Sequence, residues 1–161
     1  MDWLDKTLND YERKKAEKRQ LEAEELKSRD EESRKNKQAA AEALGRALNK
    51  FQEVKKELVN RKYPCEVTLG SLTDTLTGEK FPNELTLLLK TAPLRGAETF
   101  SKLDASSLVL TTNLGSDQIS ITTKDIRHQR EAPALTKIEI DMLTDDFIDT
   151  IIQKFINQIF I

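Results

Sequence analysis

Apolar residues recur along the first third of the chain at helical spacing, and along the remainder at strand spacing. Ala40, Leu44, Ala47, Phe51, Val54 and Leu58 follow one another at intervals of four and three, the heptad rhythm that makes a seam. Leu48 and Ala41 widen that stripe. A shorter seam of Leu4, Leu8 and Tyr11, with Trp3 beside it, opens the chain. Between them, over residues 12–37, Leu21, Leu26 and two alanines are the only apolar residues. No proline interrupts before Pro64, and Ala, Leu, Glu, Lys, Arg and Gln dominate. The pattern predicts one helix over 2–62, with Asp2 as its N-cap and Arg61 and Lys62 suiting its negative end. At about 1.5 Å per residue such a rod is roughly 90 Å long.

After residue 62 the period changes to two. Val67 and Leu69 alternate with polar neighbours, as do Leu85, Leu87 and Leu89, with Leu88 on the other face. Leu108 and Leu110, then Ile119 and Ile121, flank the turn 113–117 and predict a hairpin. Ile138 and Ile140 mark a last strand. The segment 73–78 carries turn chemistry, a short helical turn is placed near 96–103, and 124–134 reads as a polar loop. The chain closes with a helix over 144–160. Thr144 is its N-cap, Asp145 and Asp146 lie in its first turn, and Ile148, Ile152, Phe155 and Ile159 belong to its broad apolar face. The predicted class is therefore α+β. A long charged helix, coiled-coil-like at 40–58, occupies 1–62, and a small, mostly antiparallel five-stranded domain with a C-terminal helix occupies 63–161.

Charge separates the same two parts. Residues 1–62 hold 17 Lys and Arg against 14 Asp and Glu, and 63–161 hold 9 against 14, giving −2 in all. No strong field points to nucleic acid or an anionic membrane. In the middle of the helix 18 of 26 residues are charged, so that stretch is helical by propensity and held by no core of its own. One cysteine, Cys65, leaves no internal disulfide, and no run approaches the 20 or so apolar residues of a membrane span. With no signal-peptide pattern at the N-terminus, the expected location is cytoplasmic.

Candidate chemistry is sparse. Cys65 and His128 are the only residues of their types, and nothing in the spacing brings them together as a nucleophile and base or as zinc ligands. Asp145, Asp146 and Asp149 are explained by the helix start they occupy. Arg127, His128, Gln129 and Arg130 form a small anion-friendly patch. No phosphate-binding glycine loop is present. No catalytic, metal or cofactor residue is assigned.

The expected function is a non-enzymatic interaction or scaffold protein that self-associates or docks another helical protein through its long helix. The expected contacts are Leu44, Phe51, Val54 and Leu58, with Leu4, Leu8 and Tyr11 as a second site. The main stripe can equally pack on the chain's own C-terminal domain. Two rivals stand beside this reading. One is a nucleic-acid accessory role for the basic stretch 13–19, made unfavourable by interleaved Glu12, Glu17 and Glu22 and by the lack of stacking aromatics. The other is a small-ligand pocket between the sheet and the last helix.

Overall fold

A computed structural model describes residues 1–92, 104–113, 115–128 and 132–161. The turn expected near 96–103 and part of the 124–134 loop lie outside these residues. Helix α1 runs unbroken over Asp2–Asn60. Five strands follow, β1 (Cys65–Thr73), β2 (Lys80–Leu89), β3 (Ser106–Thr112), β4 (Gln118–Lys124) and β5 (Ala134–Glu139), and helix α2 (Asp145–Phe160) closes the chain. The strands form one antiparallel sheet in the order β1-β2-β3-β4-β5, each paired with its neighbour in sequence. The connections at 74–79 and 113–117 are short, as antiparallel neighbours allow, and those at 90–105 and 125–133 are longer. The fold is α+β, as the change of period predicts.

The core is a single layer between one face of the sheet and two helices. Leu85, Leu87 and Leu89 of β2, Leu108 and Leu110 of β3, and Ile119 and Ile121 of β4 all point to it. Strand periodicity puts alternate residues on one side, and the register lays Leu87 beside Leu108 and Leu110 beside Ile121. Ile148, Ile152, Phe155 and Ile159 of α2 cover part of that layer. The rest is covered by the C-terminal half of α1, which packs on β1 and β2 and beside α2.

This arrangement decides where the main heptad stripe goes. Ala40, Ala43, Leu44, Ala47, Phe51 and Leu58 are buried, and Val54 and Leu48 pack against the same core. The expectation that Leu44, Phe51, Val54 and Leu58 meet a partner is therefore corrected. The seam is turned onto the chain's own sheet, and the small side chains at 40, 43 and 47 let the helix backbone come close to the strands. The continuous helix also makes 1–62 and 63–161 share one core.

The helix stops through backbone geometry as well as at Pro64. Lys62 takes the left-handed conformation, with φ 71°. Its N–H donates to Val59 O, and the Tyr63 N–H donates to Leu58 O. These are the two bonds of a Schellman ending, here without the usual glycine. Tyr63 then meets Phe160 of α2 edge to face, with ring centroids 5.0 Å apart. At the other end Asp2 is the first helical residue rather than the cap, which falls to Met1 without a side-chain bond. Thr144 caps α2 as expected, its Oγ1 accepting from the Phe147 N–H at 3.3 Å. Arg127, in the 3₁₀ turn after β4, donates to Gln158 O and Ile161 O and ties the end of α2 to the buried Asp125.

Phe51 sits at the centre of this packing. Replacing it with alanine is expected to cost about 3–5 kcal/mol in urea unfolding. Leu8→Ala, on the exposed part of the same helix, is expected to stay within about 0.5 kcal/mol of the parent.

Candidate interaction surface

Upstream of Ser33 the helix has no sheet beneath it. Among residues 1–32 every side chain is exposed except Leu4 and Asp10, which are half-buried. These residues form an arm about 45 Å long, set by the rise of the helix. Propensity and local pairs support it. Arg13 lies 3.7 Å from Asp10 and 3.9 Å from Glu17 on the solvated surface. Thr7 Oγ1 donates back to Trp3 O. Exposed pairs of this kind contribute about 0.2–0.5 kcal/mol each.

The short seam at 4–11 remains uncovered. Trp3 is 68% exposed, Leu8 49% and Tyr11 61%. Leu21 and Leu26 are exposed further along, Leu26 in line with Leu8 five turns on and Leu21 on another side of the rod. The ammonium of Lys15 lies 5.9 Å from the Tyr11 ring centroid, so the basic stretch 13–19 begins where the apolar seam ends. Leu4, Leu8 and Tyr11 fall on the same side of the helix as Leu44, Phe51 and Leu58, one stripe buried at one end and bare at the other.

Where the arm leaves the domain, two loops grip it. Lys37 Nζ pairs with Asp74 Oδ2 at 2.5 Å, both largely shielded from solvent, and also lies 5.7 Å from the Phe81 ring centroid. Asp74 is fixed by its own turn, where the Leu76 N–H donates to its Oδ1. The Lys37 hydrogen bond, aided by that backbone donor, holds the Asp74 carboxyl below the usual carboxylate range. On the other side Asn36 Nδ2 donates to Gly115 O at 3.0 Å. Gly115 has φ 80°, and a Cβ there would come within 2.5 Å of Ser33 Oγ, so only glycine fits this close approach. The sequence shows a polar turn at Asp74 and a hairpin turn at Gly115. It carries no signal that both meet the same helix.

Cys65 opens the edge strand β1 and is buried, while His128 follows β4, with β2 and β3 between those strands. Burial pushes the Cys65 thiol up to about 12. Of the anion-friendly patch, Gln129 and Arg130 lie outside the described residues. Arg127 is engaged by Asp125, whose carboxyl that guanidinium holds below its ordinary range. Asp149 pairs with Lys50 of α1 at 3.5 Å. Among the described residues no three His, Cys, Asp or Glu cluster as a metal site, and no helix is long and apolar enough to cross a membrane. Leu108, Leu110, Ile148, Ile152 and Phe155, all buried, pack between the sheet and α2, where the small-ligand reading places its pocket.

No protein-family model matches the chain, and no curated protein or solved structure matches it.

Two outcomes follow from this geometry. Because the folded pKa of Asp74 is depressed, its pairing stabilises the fold above the ordinary carboxylate range and is lost as pH falls through the folded value. Asp74→Asn is expected to be less stable than the parent at pH 7 and to converge with it as pH falls through the folded value of Asp74, as read by urea midpoints. The Cys65 thiol is expected to resist alkylation at pH 8 in the native chain and to react readily in denaturant.

Proposed function

We propose that this protein is a non-enzymatic interaction or scaffold protein whose arm, residues 2–32, is the element that meets a partner. The partner is a second copy or another helical protein. Leu4, Leu8 and Tyr11, with Trp3, are the contact residues. The observation that carries this reading is the bare seam at the end of a helix whose other half is fully used in the core. A solvated arm gains nothing from its own domain for exposing Trp3 and Tyr11. A second helix laid along the seam would bury about 1.5–3 kcal/mol of apolar side chain per large residue. Tryptophan and tyrosine are also the residues that concentrate binding energy at interfaces.

The domain then serves as the anchor. The collar of Asp74 and Gly115 fixes the angle at which the arm departs, and the filled core holds the base of the helix rigid. The reading keeps a cytoplasmic location, which fits a single buried cysteine. Arg13 and Lys15 of the basic stretch are engaged by Asp10, Glu17 and Tyr11, so nothing specific favours nucleic acid over a helical partner.

The experiment pairs the parent with the variant Leu4→Glu/Leu8→Glu/Tyr11→Glu, compared by solution mass and by capture on immobilised full-length chain. Association that disappears in the variant, with the circular dichroism of the two proteins alike, is the expected result. A parent that stays monomeric and captures nothing, or association that survives the three substitutions, overturns the reading.

A further inference from the structure

The charges on the arm come in blocks of alternating sign. Residues 1–12 carry −3, from Asp2, Asp5, Asp10 and Glu12 against Lys6. Residues 13–19 carry +4, with Glu17 the only acid among five basic residues. Residues 20–26 carry −3, from Glu22, Glu24 and Glu25. Residues 27–37 carry +2, from five basic and three acidic residues. The pattern is antisymmetric about the bond between Arg19 and Gln20. A helix turned end for end about that point brings every block against one of opposite sign. A parallel arrangement in register would bring every block against its like.

Resting on the reading of the arm as the interaction element, we propose that its partner is a second copy of this chain. The two arms lie antiparallel about a two-fold axis between Arg19 and Gln20. Residue i of one arm then faces residue 39 − i of the other. Asp5 meets Arg34, Glu12 meets Lys27 and Lys14 meets Glu25. The members of each pair project on similar sides of their helices, as an antiparallel pairing requires, and the two-fold repeats each pair. Glu17 meets Glu22 as the one like pair facing directly, but these two project on different sides of the rod. Lys37 is left out because Asp74 of its own domain already holds it, and residues 27–36 still carry +1, from four basic and three acidic residues.

The same register places the bare seam. Leu4 and Leu8 of one arm come level with Lys35 and Glu31 of the other, at the base where that arm joins its domain. A groove of about 440 Å³ lies there between the helix and the β1–β2 turn, lined by Ser33, Arg34, Leu76, Thr77 and Phe81 among others. Leu76 is 94% exposed at its rim. An arm cannot fill its own groove, because its apolar tip is about 45 Å away along a continuous helix. The tip of a second copy reaches it, and Asp5 arrives beside Arg34 of the groove wall. Each arm thus covers the other's seam, and each groove receives the other's Leu4 and Leu8.

The pairs are solvent-exposed and individually weak, so the dimer depends on ionic strength. The full chain at tens of micromolar is expected to sediment as a dimer in about 50 mM salt and to dissociate toward monomer in about 1 M salt. Reversing the basic block with Lys14→Glu/Lys15→Glu/Lys18→Glu/Arg19→Glu is expected to weaken the dimer roughly tenfold or more. Adding Glu22→Lys/Glu24→Lys/Glu25→Lys to that variant restores it. Leu76→Glu, outside the arm, weakens it as well. A mixture of Thr7→Cys and Glu32→Cys chains is expected to cross-link on oxidation, whereas Thr7→Cys alone does not. Cys65 does not compete, being buried.

A monomer at both salts, a dimer indifferent to salt and charge reversal, or self-cross-linking of Thr7→Cys overturns the antiparallel pairing. These results fall on the choice of partner alone. The broader reading of the arm fails separately, when the Leu4, Leu8 and Tyr11 substitutions leave every association unchanged.

Discussion

The structure depends on the contact between the small-residue face of α1 and the meander sheet. Ala40, Ala43 and Ala47 hold no bulk, so the helix settles close enough for Leu44 and Phe51 to enter the layer formed by Leu85, Leu87 and Leu108. Without that contact, the sheet would present one apolar face that α2 alone only partly covers. A sheet with an uncovered apolar face and two open edges is not a stable solution. The long helix therefore completes the domain rather than being appended to it. Its direction is fixed at one end by the Schellman ending at Lys62 and at the other by the collar of Asp74 and Gly115.

A helix committed at one end behaves differently at the other. Nucleation is the expensive step in forming a helix, and the buried half supplies it. Residues upstream of Ser33 then extend by propensity from a turn already formed. This explains how a stretch with 18 charges in residues 12–37 remains helical with no core of its own. It also explains the economy of the seam. One stripe of residues at heptad spacing is spent on the sheet between 40 and 58 and reappears at 4–11 with nothing over it.

Much of the fold was legible in the sequence. The absence of proline before Pro64, the change of period at Val67, the hairpin around 113–117 and the Thr144 cap each map onto an element in the structure. Those signals are local, set within one turn of helix or one pair of strands. The destination of the 40–58 stripe was not legible, because spacing shows that a face is apolar but not what covers it. Leu44 and Phe51 looked the same whether they met a partner or their own sheet. The collar was hidden for a similar reason. Lys37 and Asp74, and Ser33 and Gly115, are distant in sequence, and no periodicity links a helix residue to a turn. The cap at Asp2 was misplaced by one residue, a common outcome where a helix end is exposed.

Helix α1 is one rod, fixed at its base and free of its own domain upstream of Ser33. Spin labels at Asn9 and Asn49, both exposed, measure this within a single chain when the labelled protein is diluted in unlabelled protein. A narrow distance distribution near 60 Å, set by the helical rise between the two positions, is the expected result. A broad distribution centred at half that length would show the arm bent back or unwound, and would contradict the account.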